Sequence, residues 1–157
     1  MTLKSGNLLH YREGDQQSQG GVGFLVRKAL VNNIDVVRSV SSRVAYLILR
    51  ISKRYSLKVI QVYAPTSTHP DDEVEAMFEE ISTAIHSSQS HYTVEMRDFN
   101  AKLSRRCGDE LKPERRKWTW LSPDGTVRNE IDFIMSTNKH LFNDVSVINT
   151  VKTGNNH

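Results

Sequence analysis

The sequence predicts an α/β domain rich in strands, and three observations support this prediction. Short apolar segments with many β-branched and aromatic residues follow one another closely, one of them is apolar on both faces, and one longer segment has helical periodicity. With 157 residues, 38% of them hydrophobic, the chain is long enough to bury one good core. Residues 1–157 are therefore expected to form a single domain.

Four segments in the first half of the chain predict strands joined as hairpins or as a meander. They are GGVGFLVRK (20–28), IDVVRSV (34–40), VAYLILRIS (44–52) and LKVIQVYAP (57–65). The third is apolar on both faces, which predicts a central strand covered on each side by another layer. The glycines of the first are expected to serve a turn and a bulge, because GGVGF lacks the lysine and the following helix that a phosphate-binding loop needs.

A helix is predicted to begin at Pro70. Proline suits the first helical position, and the three acids that follow it, Asp71, Asp72 and Glu73, suit the positive end of the helix dipole. Apolar residues then recur at helical spacing and predict one face buried against a sheet. These residues are Val74, Met77, Phe78, Ile81, Ala84 and Ile85. The acids Glu75, Glu79 and Glu80 are expected on the solvent side.

The second half of the chain predicts four more strands. They are HYTVEMRDFN (91–100), KWTWL (117–121), EIDFIMS (130–136) and NDVSVINTV (143–151). Many strands and one or two helices favour a sheet-on-sheet core flanked by helix.

The segment from Lys102 to Trp118 has few apolar residues and predicts an exposed basic loop. Its cations could contact nucleic-acid phosphates, and the residues concerned are Arg105, Arg106, Arg115, Arg116 and Lys117. On composition alone, a solvated connection without a specific role is the commoner interpretation of such a loop.

Composition narrows the function classes. A formal net charge of +3 suits a polyanionic partner but is too mild to establish one. No apolar run approaches the roughly 20 residues of a membrane helix, and the first residues lack the apolar core of a secretory signal. A nuclear or cytoplasmic location without membrane contact is expected. Cys107 receives no role, and His69, His86, His91 and His140 are expected to face solvent.

Three polar residues within or at the end of predicted strands are candidates for a site. Asp98 and Asn100 stand two residues apart, so a strand presents both on one face, where an acid can accept a proton from water and an amide can bind a phosphate oxygen. Asp132 lies inside an apolar strand and needs a partner, for which a histidine is suitable. The alternative for Asp98 and Asn100 is a turn that ends the strand.

Tyr63 closes its strand immediately before Pro65. Its hydroxyl group could donate a hydrogen bond to a phosphate, although a tyrosine that covers the core at a strand end is the commoner arrangement.

In chain order, the strings GGVGFLV, VIQVYAP, RDFNAK, WTWLSPDGTVRNEIDFI and GNNH resemble the endonuclease/exonuclease/phosphatase superfamily. Within it, the resemblance is to the endonuclease domain of non-LTR retrotransposons. It implies a two-sheet, four-layer α/β sandwich, cleavage of a phosphodiester bond in nucleic acid, most often DNA, and Mg²⁺ as cofactor.

The resemblance also implies roles for individual residues. Tyr63 would contact the phosphate, and Asp98 would align or deprotonate the attacking water. Asn100 would hold the substrate and Asp98, and Asp132 would pair with the catalytic histidine, His157.

The chain departs from the family's motifs at several places. Before residue 20 we find no match to the strand that ends in the family's metal-binding glutamate, so the principal Mg²⁺ ligand is not identified. Arg97 replaces the glycine of GDFN and is expected to pair with Asp98 and lower its basicity. Asn156 replaces the acid of the family's SDH motif. The sandwich is therefore expected to be a fragment, incomplete at both ends and with an internal deletion.

Three functions are compatible with these observations. The first is an active Mg²⁺-dependent endonuclease, the second is an inactive domain that still binds nucleic acid, and the third is an interaction domain that has kept only the fold. The departures predict impaired or lost cleavage. Uncovered sheet edges predict a tendency to self-associate.

Overall fold

The structure, a computed structural model, describes residues 1–14, 20–66, 69–98, 119–121, 124–126, 128–129 and 131–143. The strands are β1 (Leu8–Glu13), β2 (Gly21–Val26), β3 (Ile34–Ser39), β4 (Val44–Arg50), β5 (Ser56–Tyr63), β6 (Tyr92–Asp98), β7 (Trp120–Leu121), β8 (Arg128–Asn129) and β9 (Asp132–Ser136). The helices are α1 (Lys28–Val31) and α2 (Asp71–His86), and a short 3-10 helix spans Lys139–Leu141. The predicted segment 143–151 lies almost wholly outside the described residues.

The central sheet has the strand order β3-β4-β5-β6-β9. Strands β3, β4 and β5 are antiparallel neighbours, which confirms the meander for three of the four predicted strands, whereas β2 pairs with β1 in another sheet. Strands β5 and β6 are parallel, and α2 makes the crossover that a parallel pair requires. Strand β9 pairs antiparallel with β6.

Strand β4 is buried along most of its length, as its two apolar faces predict. On one face, the cluster formed with β5 packs against α2. On the other face, Ala45 and Leu47 pack against the apolar side of β2. The described core therefore has a helix layer, a five-stranded sheet and a β1–β2 hairpin. None of the helices in the described ranges has the length and apolar composition that crossing a lipid bilayer requires.

Strand β1 was not predicted from the sequence, because Leu8–Glu13 contains too few apolar residues to indicate a strand. It pairs with β2 without interruption, so the bulge expected at the glycines is wrong. Gly20 and Gly21 have φ angles of +84° and +112°, which suit a turn. At Gly23 a Cβ atom would lie 2.5 Å from the carbonyl oxygen of His10, so only glycine permits this approach of the two strands.

Helix α2 buries a narrower stripe than its sequence predicts. Met77, Ile81 and Ala84 are buried, whereas Ile85 is exposed and Phe78 is 50% exposed. The helix packs over β4 and β5, so Phe78 turns toward β6, where the guanidinium group of Arg97 lies 5.7 Å from its ring centroid. Glu80 is not wholly on the solvent side, because its carboxylate accepts a hydrogen bond of 2.6 Å from Ser41.

Lys58 of β5 is fully buried beneath the end of α2. Its Nζ donates to the carbonyl oxygens of Ala84, Ile85 and Ser88 at 2.9, 2.7 and 2.6 Å. These acceptors lie at the negative end of the helix dipole, where a cation is favoured. Desolvation by burial lowers the pKa of Lys58 below its usual value of 10.5, and the phenol of Tyr46 partly opposes this shift.

We expect Lys58→Met to lower the free energy of unfolding at pH 7 by about 1–3 kcal/mol, because buried carbonyl groups lose their donor. Urea titrations measure this loss, and Lys53→Met, at an exposed lysine, should change little.

The same titrations at rising pH test the shift of the Lys58 pKa. Because the folded chain holds this proton less tightly than the unfolded chain, raising the pH toward 10.5 should increase the stability of the wild type relative to Lys58→Met. A difference that stays constant or shrinks with rising pH would contradict the assignment.

Candidate functional site

Tyr63, Asp98 and Asp132 form one row across three neighbouring strands. In the parallel β5–β6 pair Tyr63 is the partner of Asp98, and in the antiparallel β6–β9 pair Asp98 is the partner of Asp132. Because cross-strand partners project to the same face, the three side chains share one face at one end of the sheet. We call this set the catalytic row, after the roles that the resemblance implies and that stay predictions.

The catalytic row lies on the face that carries the β1–β2 hairpin. Tyr63 packs at the edge of the cluster between the sheet and the hairpin. Tyr63 and Asp98 are half-buried, whereas Asp132 is exposed. The phenol group of Tyr63 and the carboxylates of Asp98 and Asp132 thus lie at the border between the core and solvent.

Backbone contacts hold the ends of these strands. The N–H of Tyr63 donates to the carbonyl of Arg43 at 2.9 Å, and the N–H of Ala64 donates to the carbonyl of Asp98 at 2.9 Å. Thr119 fixes the start of β9, since its hydroxyl oxygen accepts from the N–H groups of Ile131 and Asp132 at 3.0 and 3.1 Å. Thr119 was not predicted as a site residue, and its place in the WTW motif is the only signal that could have identified it.

A charged cluster of Arg43, His69 and Glu73 supports Tyr63 and was not predicted. The guanidinium carbon of Arg43 lies 5.8 Å from the centroid of the Tyr63 ring. Its Nη2 donates to Nε2 of His69 at 3.3 Å and lies 3.5 Å from the carboxylate of Glu73. The Arg43 side chain is only 13% exposed. The expectation that His69 faces solvent is therefore wrong, because Arg43 and Thr66 enclose its ring.

Arg97 lies on the opposite face from the catalytic row. Strand alternation turns its side chain toward α2, where Nε donates to Glu95 and the guanidinium group stacks on Phe78. The expectation that Arg97 stands beside the Asp98 carboxylate is therefore wrong. Its charge instead covers the sheet beside the helix.

The remaining predicted site residues lie outside the described part of the chain. They are Asn100, His157 and the loop cations Arg105, Arg106, Arg115, Arg116 and Lys117. Their positions and roles stay predictions, as do the roles of the three residues in the catalytic row.

The arrangement has definite chemical capabilities. Directly opposed residues of an antiparallel pair have Cβ atoms about 4.5–5.5 Å apart, so Asp98 and Asp132 concentrate negative charge at one point. Carboxylates in this arrangement can bind a cation or accept a proton from an attacking water. The adjacent phenol is a hydrogen-bond donor.

Comparison with solved structures establishes the fold. Humanized D. rerio TDP2 carrying 14 mutations has a TM-score of 0.56 and 12% identity, over 92% of this chain and 63% of that one. An endonuclease/exonuclease/phosphatase family protein from Leptotrichia buccalis has a TM-score of 0.54 and 14% identity, over 87% and 61%. Truncated Caenorhabditis elegans TDP2 gives 0.52 and 14%, over 81% and 60%. The chain has the mixed α/β fold of these proteins, with two packed sheets and few helices.

The curated relatives are much longer than this chain and share a modest part of its sequence. Two proteins named Craniofacial development protein 2, from Tragulus javanicus and Bos taurus, are 27% identical over 156 residues and cover 76% of this chain. The chain spans about a quarter of the length of these relatives. No protein-family profile matches it.

We expect Arg43 to couple energetically to Tyr63. Removing the guanidinium group with Arg43→Met should lower the free energy of unfolding by about 1–2 kcal/mol, because a largely buried pair and a cation–π contact are lost. In a double-mutant cycle with Tyr63→Leu, the coupling should be about 0.5–2 kcal/mol. Arg38→Met, at an exposed arginine, is the control. Additive effects of the two substitutions would show that the ring and the cation do not interact.

Proposed function

We propose that this chain is the endonuclease-type domain of a retroelement. It binds nucleic acid, chiefly DNA, at the catalytic row. It hydrolyses phosphodiesters only weakly. The observation that carries the proposal is the alignment of Tyr63, Asp98 and Asp132 at one end of the sheet. The endonuclease/exonuclease/phosphatase fold and the motif resemblance support the substrate class.

Each residue has a distinct part in the proposed reaction. Asp98 aligns the attacking water and accepts its proton, while Tyr63 donates a hydrogen bond to a phosphate oxygen. Asp132 orients His157, and Asn100 holds the substrate. Arg43 keeps the Tyr63 ring in place, and the loop cations Arg105, Arg106, Arg115, Arg116 and Lys117 contact the flanking phosphates.

The described residues supply only part of a ligand set for Mg²⁺, the cofactor implied by the resemblance. The ion usually takes one or two carboxylates together with water and phosphate oxygens. Asp98 and Asp132 are of the right kind, but the proposed reaction already gives each of them another role. Within the described residues, no three His, Cys, Asp or Glu side chains are grouped so that they could hold an ion.

The incomplete set of Mg²⁺ ligands limits the proposed rate of phosphodiester hydrolysis. A bound metal stabilises the charge of the phosphoryl transition state by several kcal/mol, and each 1.4 kcal/mol changes the rate about tenfold. Asn156, in place of the family's acid, removes a further negative charge from the proposed site. Weak or absent cleavage follows, while binding through phosphate contacts persists.

Nicking of supercoiled plasmid tests the catalytic part of the proposal. With Mg²⁺ the chain should nick at or only slightly above the level seen with EDTA, and Arg97→Gly combined with Asn156→Asp should restore little activity. Strong Mg²⁺-dependent nicking that disappears in Asp98→Ala would show that the site is fully competent and that our view of its impairment is wrong.

Binding to duplex DNA tests whether phosphates sit at the catalytic row. In EDTA, Asp98→Asn should tighten binding about fivefold, because a carboxylate within a few ångströms of a phosphate costs about 1 kcal/mol in water. Tyr63→Phe should weaken binding, because it removes a donor. Glu75→Gln, on the exposed side of α2, makes the same charge change as a control. Equal effects of Asp98→Asn and Glu75→Gln would show that phosphates do not bind at the catalytic row.

Self-association through strand β9 is a second part of the proposal. Ile134 and Met135 project from opposite faces of this strand and are exposed, and within the described sheet β9 is an edge. Sedimentation should show mass increasing with protein concentration, and Ile134→Lys should abolish the increase. A monomer at every concentration would contradict this proposal.

A further inference from the structure

A second surface lies at the end of the sandwich opposite the catalytic row. Strand β5 begins there at Ser56 and β6 begins there at Tyr92, whereas Tyr63 and Asp98 end the same strands. Seven residue steps at about 3.3 Å each separate the two ends by roughly 20 Å or more. A single base or phosphate bound at one end therefore does not contact the other end.

Three aromatic rings gather at this second end. The ring of Tyr55 meets His91 edge to face at a centroid distance of 5.3 Å and lies 5.9 Å from the ring of Tyr92. Tyr55 is 48% exposed although it is a large ring. The N–H of Ser56 donates to Nδ1 of His91 at 3.2 Å, which fixes the imidazole and leaves Nε2 as the protonated nitrogen of the neutral ring.

A cavity of about 590 Å³ adjoins the aromatic cluster, and His91 belongs to both. Its wall includes the polar side chains of His86, Ser88, Gln89 and Ser90. These side chains offer both donors and acceptors, and the volume lies in the range of small-molecule sites. An unpaired base can therefore stack outside and meet hydrogen-bonding groups inside.

The charge of this end is positive. Lys53 and Arg54 stand in the exposed connection between β4 and β5, next to Tyr55. In the described connections at this end, residues 1–7, 27–33, 51–55, 87–91 and 137–143, there is no Asp or Glu. The nearby Asp35 pairs with Arg50 at 3.2 Å. The ammonium group of Lys58 lies behind the cavity wall, bound to the carbonyls of Ile85 and Ser88.

We infer that this end binds an unpaired strand of nucleic acid. Bases stack on Tyr55 and enter the cavity beside His91, while Lys53 and Arg54 contact the phosphates. Proteins bind single strands through this combination of stacking rings and nearby cations. A duplex cannot use the rings, because its bases are already stacked. We call this set of residues the Tyr55 surface.

An acidic peptide is the competing ligand for a basic surface, and the rings decide between the two. Lys53 and Arg54 would attract either polyanion, but only bases require the exposed face of Tyr55. Dependence of binding on an aromatic ring at position 55 therefore identifies the ligand class.

Fluorescence anisotropy with a labelled oligothymidylate measures the stacking contribution. Tyr55→Ala and Tyr55→Leu should each weaken binding about fivefold to 150-fold, because one stacked base contributes about 1–3 kcal/mol. Tyr55→Phe should bind within about twofold of the wild type, since it keeps the ring. Tyr11→Ala is the matched control, because Tyr11 is 55% exposed on strand β1.

The salt dependence measures the phosphate contacts. Replacing Lys53 and Arg54 together by glutamine should reduce the slope of log affinity against log salt by about 1.4, since each contact to a single strand contributes about 0.7. Arg38→Gln, at an exposed arginine on β3, should leave the slope unchanged.

Unchanged affinity in Tyr55→Leu, with folding verified by urea titration, would overturn the inference. So would equal binding of poly-glutamate that is insensitive to Tyr55→Ala. The outcome is separable from the proposed function, because duplex binding by Asp98→Asn reports on the catalytic row and oligothymidylate binding reports on the Tyr55 surface. One measurement can contradict its proposal while the other measurement supports its own.

Discussion

The parallel pairing of β5 with β6 is the constraint on which the rest of the structure depends. Parallel neighbours need a crossover, and α2 supplies it on one face of the sheet. Helix α2 covers that face, so the β1–β2 hairpin packs on the other face of the sheet. Parallel strands also end at the same edge, which brings Tyr63 beside Asp98. Strand β9 then enters antiparallel and adds Asp132 to the same row. The position of the candidate site is thus a consequence of strand direction.

The two ends of the sandwich carry different charged groups, and the guanidinium group of Arg43 lies beside Tyr63 at the first of them. One end carries the carboxylates of Asp98 and Asp132, and the connections at the other end carry Lys53 and Arg54 next to Tyr55. The helix dipole alone would make the end near Tyr55 more negative, because α2 finishes there. The buried ammonium group of Lys58 compensates the final carbonyls from inside the core. The same side chain therefore anchors the crossover helix and places a cationic group behind the cavity wall.

Much of the fold could be predicted from the sequence, because periodicity reports burial directly. Strand β4 and helix α2 have clear apolar patterns, and the row residues stand at strand ends that the motifs mark. Strand β1 could not be predicted in this way, since its stability comes from pairing with β2 rather than from its own apolar residues. Arg43 escaped notice because its contacts with Tyr63 and His69 join distant parts of the chain. The prediction that Phe78 is buried was wrong, because helical spacing does not show which apolar residues of a helix the neighbouring strands cover.

The burial of Lys58 also bears on its chemical reactivity. An amine must be accessible and unprotonated to be acetylated, and this one is enclosed beneath the final carbonyls of α2. Reagent can reach it only when the last turn of the helix lifts from the sheet. Once acetylated, the nitrogen keeps a single N–H and loses its charge, so it cannot satisfy the three carbonyl groups again. Acetylation of Lys58 would therefore keep the last turn of α2 away from the sheet. An acetylated Lys58 would show that this turn had opened in the folded chain.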